Sequence, residues 1–357
     1  MEAFAPPVFL EFVRNLVANP AYIGNTFIPN RTVSDIEYSY IRGTNDVPVM
    51  AHVISWDSEA PIARRPARGE RVFGELPPIK RKSRISEKEI IRFMQPRIGS
   101  ADQQDAIRTV YADTARLIDS IQARIEWLRL QAISEDSVIY NEGDQKIEFD
   151  YGIVEDQQIN LVTQTDGSGA ALPVGKFGPA WTDRVNSKPV SDLMKICQDM
   201  EQATGERPTR FVCSQLALEN LLHNEEIKSF LYDLNAPRRP LQPGEVQSLF
   251  GLYRLPQLIP YDVRVGSENA DGTFTMVRCM RENAGVLLPS LPVGNTLFGP
   301  TAESRILLGT PYSQLAAGVW ASTYAKDEPP SEWSKAVAVA FPTLPNADKI
   351  GQMTLWA

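Results

Sequence analysis

Apolar residues recur at intervals of three and four from Ile107 through Val110, Leu117, Ile118, Ile121, Ile125 and Leu128 to Ile133. That spacing lines one face of a helix and predicts a single amphipathic element over 102–134. No glycine or proline interrupts the run, and Asp105/Arg108 and Asp113/Arg116 fall at neighbouring surface positions of opposite charge. At about 1.5 Å per residue the helix is roughly 50 Å long, several times the usual globular helix.

Elsewhere the pattern is shorter. Alternating runs at 137–141, 146–151 and 159–164 predict strands that close on the turn Asp166-Gly167-Ser168-Gly169. From about 187, short helices and strands alternate. Pro189 to Ala203 reads as a helix stopped by Gly205. Arg210 to Cys213 reads as a strand, Ser214 as the cap of a helix over 215–222, and Ile227 to Leu234 as a further helix. Tyr261–Val265 and Thr273–Val277 predict a strand pair, Gly285–Pro289 a buried strand, and Met353–Trp356 a last strand. The order of elements is α+β, without the regular βα alternation of a doubly wound sheet.

Two segments do not fit a core. In residues 1–45 a brief apolar group (Phe9, Leu10, Phe12, Val13, Leu16) runs into Pro20, Gly24, Pro29 and Gly43. Two turns of helix are too short to stand alone, so this stretch reads as an arm that must lie on something else. Residues 61–84 carry Arg64, Arg65, Arg68, Arg71, Lys80, Arg81, Lys82 and Arg84 against Glu70 and Glu75, a local charge of +6. Strand-like runs at 47–56 and 79–85 flank this stretch, which predicts a long basic hairpin or extended loop.

Composition sharpens that picture. The chain has 357 residues and a net charge of -8, so everything outside the basic segment carries -14. A protein that simply coats nucleic acid would be basic overall. Proline is frequent, at 27 residues, while histidine is scarce at 2. The three cysteines, Cys197, Cys213 and Cys279, are widely spaced and read as core fillers rather than a disulfide framework. The opening Met1-Glu2-Ala3-Phe4-Ala5-Pro6-Pro7 lacks a basic signal region and no stretch is apolar enough to span a bilayer, so a cytosolic protein without membrane contact is expected.

The search for chemistry finds no constellation. His52 and His223 lie in no zinc-ligand spacing. Gly169 to Lys176 has one residue too many for a phosphate loop, and Phe177 stands where magnesium would need a hydroxyl. No nucleophile elbow and no dinucleotide fingerprint is present. No catalytic residue, metal or cofactor is expected. The basic segment keeps three readings: a solvated loop, a nucleic-acid contact, or an interface with the acidic remainder of an identical subunit.

The order of parts resembles the major capsid proteins of tailed phages, in particular the lambda-type major capsid protein E family. The resemblance is carried by Phe9-Leu-Glu-Phe, by Ala51-His-Val-Ile-Ser through Arg64-Arg-Pro-Ala-Arg-Gly-Glu, and by Glu126-Trp-Leu-Arg-Leu-Gln-Ala-Ile-Ser with Ile147-Glu-Phe-Asp. Later matches are Leu287-Leu-Pro, Val293-Gly-Asn-Thr-Leu-Phe-Gly-Pro-Thr and Phe341-Pro-Thr-Leu-Pro-Asn-Ala-Asp-Lys-Ile. Each is short; their order along nearly the whole chain is the strong part.

The resemblance implies an amino-terminal arm (1–45), an extended loop (46–95) and a peripheral domain (96–186) holding the spine helix. An axial domain (187–310) and a return to the peripheral domain (311–357) follow. It implies a subunit of hexamers and pentamers in an icosahedral head enclosing double-stranded DNA without sequence-specific binding. The protein would be assembled in the host cytoplasm with scaffolding and portal proteins, a decoration protein being left open. Expected inter-subunit contacts are Phe9, Phe12, Arg64, Arg65, Arg68, Arg71, Phe73, Lys80, Arg81, Lys82 and Arg84. An encapsulin-like compartment shares this architecture, and an acidic α+β enzyme is the alternative from another class.

Overall fold

The computed structural model describes residues 19–43, 69–85, 101–142, 145–232, 241–268, 271–306, 313–316, 318–328 and 330–357, with isolated positions between them. The long helix is the axis of the structure. After α1 (Gly24–Phe27), β1 (Asn30–Thr32), β2 (Glu37–Arg42), β3 (Glu70–Glu75) and β4 (Pro78–Ile85), α2 runs unbroken over Ala101–Ser134. The hairpin β5 (Ser137–Glu142) and β6 (Gln145–Asp150) follows, then β7 (Gln158–Asn160). The expected strand over 159–164 stops early because the Asn160 side chain accepts from the N–H groups of Val162 and Thr163, turning the chain.

Helices and strands then alternate: α3 (Pro189–Thr204), β8 (Arg210–Cys213), α4 (Gln215–His223), α5 (Glu225–Leu231), α6 (Pro243–Leu252) and β9 (Gln257–Pro260). Their ends follow local chemistry. Gly205 takes the left-handed conformation, φ 74°, that closes α3. Ser214 caps α4 through the Ala217 N–H, and Asn224 caps α5 through the Glu226 and Ile227 N–H groups. That cap starts α5 before the expected Ile227. The pattern of apolar positions had not disclosed α6, which Pro243 opens and Glu245 caps by accepting from the Gln242 N–H.

The chain closes with β10 (Arg264–Glu268), β11 (Phe274–Arg278), β12 (Ala284–Leu288), β13 (Asn295–Phe298), α7 (Ala302–Ile306), β14 (Ser313–Ala316), β15 (Val319–Asp327), β16 (Pro330–Thr343) and β17 (Gly351–Thr354). The β10–β11 pair begins at Arg264, three residues later than expected, because Tyr261 is drawn into the core.

Two sheets organise these elements. One runs β1-β13-β16-β15-β14, with β4 also paired to β16; the other runs β7-β17-β12-β8-β9. The first lies on α2. Leu117, Ile118, Ile121 and Ile125 pack on Ala321, Ala336, Ala338 and Ala340, whose small side chains let helix and sheet approach closely. The second is covered by α3 to α6 around Trp181, Ile196, Phe211 and Phe250.

Strand pairing runs across the expected divisions. β7 and β17 join the five-stranded sheet rather than the sheet that lies on α2, since Met353, Leu355 and Trp356 bury their apolar surface in the second core. β13, expected in the axial part, lies in the first sheet. Among the described residues of the basic stretch, β4 pairs with β16 over 332–339 and β3 pairs with β2. From Ile23 to Arg42 the expected arm lies on its own chain. Phe27 and Ile28 are buried, and β1 runs parallel to β13.

Candidate assembly surface

The pleat sorts the basic strand β4 onto two faces. Ile79 turns toward α2, and Arg81, on that same side, pairs with Glu268 at 3.0 Å. Lys80, Lys82 and Arg84 alternate onto the opposite face. Across the ladder, Arg84 sits beside Trp333, Lys82 beside Lys335, and Lys80 beside Val337. On the far side of β16, Tyr324 lies opposite Trp333 and Lys326 opposite Ser331.

The result is a cationic face built on one indole. Tyr324 and Trp333 are nearly parallel, 8° apart with centroids 6.3 Å from each other. Lys82 Nζ lies 4.8 Å, Lys326 Nζ 5.1 Å and Arg84 Cζ 5.8 Å from the Trp333 centroid, all within cation–π range. Trp333 is fixed by its indole N–H donating to Ser331 Oγ at 2.9 Å. Among the described residues Lys82, Arg84 and Lys326 have no carboxylate partner. Lys335 does, pairing with Glu303. Burial alone would raise the Glu303 carboxyl, but the hydrogen bond and charge of Lys335 hold it below its ordinary value.

Arg71 and Phe73 lie elsewhere, on the outer face of the β2–β3 ribbon. Phe73 is 67% exposed and Ile41 54%, with the Arg71 guanidinium 5.0 Å from the Phe73 ring. At the end of the same face Glu37 and Glu75 are directly opposite each other. The ribbon's inner face is tied down: Tyr38 stacks on Phe341, and Arg42 donates to Glu70 at 2.7 Å and to the Asp150 carbonyl at 3.2 Å. A cleft of about 440 Å³ between Tyr38, Pro77, Lys146, Phe149 and Phe341 separates the ribbon from the β5–β6 hairpin.

A buried polar clamp holds these surfaces to the long helix. Glu126 Oε1 accepts from the Gly24 N–H at 2.8 Å and from the Tyr261 hydroxyl at 2.9 Å. Arg129 donates to Thr296 Oγ1 at 2.8 Å and to Asn30 Oδ1. Burial pushes Glu126 up against these donors and pushes Arg129 down.

Of the sequence-derived contact residues, the structure gathers Lys80, Lys82 and Arg84, turns Arg81 to the other face, and sets Arg71 and Phe73 apart. Phe9, Phe12, Arg64, Arg65 and Arg68 lie outside the described residues, as does His52. Trp333, Tyr324, Lys326, Glu37 and Glu75 were missed, because only strand register shows that they flank the basic residues. Among the described residues no group of three metal-ligating side chains is gathered, and no helix is long and apolar enough to cross a membrane.

A family model described as phage major capsid protein E matches residues 8–353. No curated protein matches the chain. Among solved structures, the assigned capsid protein of a prophage of E. coli CFT073 is similar at 16% identity with a TM-score of 0.58, over 98% of each chain. A phage-related protein of Bordetella bronchiseptica RB50 is similar at 14% identity and a TM-score of 0.54, over 98% of this chain and 96% of that one. The likeness is one of fold, and extends over nearly the whole of each chain.

Proposed function

The chain belongs to the phage major capsid protein E family and is a subunit of a phage shell, and from that premise we propose that its copies form hexamers and pentamers closing an icosahedral head around double-stranded DNA. The family match over 8–353 carries this reading. The surfaces support it. A subunit with the exposed Phe73 and Ile41 on one face and unpaired cations on another has two different patches left for neighbours. Contacts between unlike patches propagate into rings and shells rather than stopping at a dimer. Many modest contacts, repeated, then hold the particle together.

In this reading the protein's role is structural and not catalytic. Phe9, Phe12, Arg64, Arg65 and Arg68 take part in contacts with neighbouring subunits, and Arg71, Phe73, Lys80, Arg81, Lys82 and Arg84 add to those contacts. Scaffolding and portal proteins act during assembly in the host cytoplasm. Electron microscopy of the purified protein tests the proposal. Closed particles hundreds of ångströms across are expected, and a monodisperse monomer or dimer under all conditions would overturn it. Nuclease-protected DNA in particles from infected cells separates a phage head from a compartment that stores protein.

A further inference from the structure

The cationic face around Trp333 and the carboxylate pair Glu37/Glu75 are both electrostatically incomplete. Glu37 and Glu75 are directly opposite on the exposed face of the β2–β3 ribbon, where like charges repel. Among the described residues neither carboxylate has a cation partner. Lys146, across the cleft, is engaged with Glu148 at 3.7 Å. Lys82, Arg84 and Lys326 crowd one indole with no carboxylate among the described residues to offset them. Each patch carries a like-charge repulsion that a group of opposite sign would relieve.

Within one chain the two patches lie on different sheets, Glu37 and Glu75 on the β2–β3 ribbon and Lys82, Arg84 and Lys326 on β4 and β15, and among the described residues no ion pair joins them.

We propose that Glu37 and Glu75 of one copy dock on the Lys82–Arg84–Lys326 face of a second copy. This rests on the shell reading above and names the two halves of one contact within it. Three features favour another copy over a different acidic partner. The charges are opposite in sign and comparable in number. Each patch has an aromatic platform beside its charges, Phe73 at 67% exposure and Trp333 with Tyr324, so apolar burial accompanies the ion pairing. The patches also lie on different parts of the surface, so every subunit offers one of each, as a head-to-tail contact requires. Arg84 and Lys82 are held over the indole before docking, which lessens the side-chain entropy lost on contact.

Charge reversal tests the pairing. Wild-type protein, Glu37→Lys/Glu75→Lys and Lys82→Glu/Arg84→Glu are compared for particle yield by light scattering and electron microscopy at low salt. The unassembled subunits are checked by circular dichroism. Each reversal is expected to lower particle yield by about tenfold or more. Reversing all four positions in one chain is expected to restore particles to within about twofold of wild type, the signature of direct coupling. If Lys82→Glu/Arg84→Glu fails to fold, Lys82→Gln/Arg84→Gln takes its place, with loss of the salt sensitivity of assembly as the expected result. Wild-type particles together with undiminished particles from both reversals would overturn this pairing alone. Loss of assembly in both with no rescue on combination would overturn it too, assigning each patch a different occupant. Failure of the wild type to form particles would overturn the shell reading itself.

Discussion

Glu126 and Arg129 sit one turn apart on α2 and form an ion pair at 3.7 Å, both side chains almost wholly buried. The pair ties four segments to the helix: Gly24 and Tyr261 through the carboxylate, Asn30 and Thr296 through the guanidinium. Glu126 Oε2 has no hydrogen bond of its own, so the Arg129 charge is its compensation. Such a pair contributes little net stability over an apolar core, yet removing one partner strands a buried charge.

Arg129→Met therefore destabilises the folded subunit by about 3–5 kcal/mol. Chemical denaturation of the unassembled subunit measures this. A loss under about 1 kcal/mol, the range of exposed pairs, would show that the clamp is solvated.

Asp192 predicts a pH dependence. Burial lifts its carboxyl to about 6, with Glu226 adding to the rise, against the Gly178 N–H, the Trp181 indole N–H and Lys195, which favour the charged form. The folded pKa lies above the unfolded one, so the folded state holds the proton more tightly. The stabilisation it brings is present below about 4 and lost as pH rises through about 6. The change is on the order of 2–3 kcal/mol. Thermal melts of the subunit between pH 4 and 7 should show a slope that Asp192→Asn flattens; an unchanged slope in the variant places its origin elsewhere.

The close approach of α2 to the sheet rests on Ala336, Ala338 and Ala340, each fully buried. Ala338→Leu inserts three carbons where Leu117, Ile118 and Ile121 already fill the space, which costs about 1–3 kcal/mol. Gly294→Ala is worse, since a Cβ there would stand 1.9 Å from the Thr343 carbonyl oxygen and force β13 away from β16. A lowered melting temperature for the first and loss of soluble folded protein for the second are expected.

What the sequence disclosed follows from the range of the forces involved. The α2 periodicity, the caps Ser214 and Gly205, and strands such as Arg210–Cys213 are local and were legible. Register is not local. Nothing in the residues of β4 states that it pairs with 332–339 rather than folding back on a neighbouring run, so the platform of Trp333 beneath Lys82 and Arg84 appears only in three dimensions. The same holds for Glu37 and Glu75, distant in the chain and opposed in the ribbon. The segment after Ile23 misled for a related reason. Its few apolar residues cannot make a core alone, but Phe27 and Ile28 complete one that α2 and β13 begin.

The basic stretch supplies the last prediction. Arg64, Arg65 and Arg68 add three positive charges within five residues to a segment whose continuation, β4, is anchored in the sheet by eight paired residues. Replacing all three by glutamate changes the local charge by six without touching that anchor. The subunit should therefore fold as before, with unchanged circular dichroism and melting temperature, while an acidic neighbour now repels it. Like-charge contact at an interface costs several kcal/mol, enough to prevent assembly when repeated around a ring. Light scattering and electron microscopy of the triple variant should find folded subunits and no closed particles. Raising the salt should recover some assembly by screening the repulsion within a Debye length of about 8–10 Å. Normal shells at low salt would show that these arginines meet solvent and that the contacts between subunits lie on the folded faces alone.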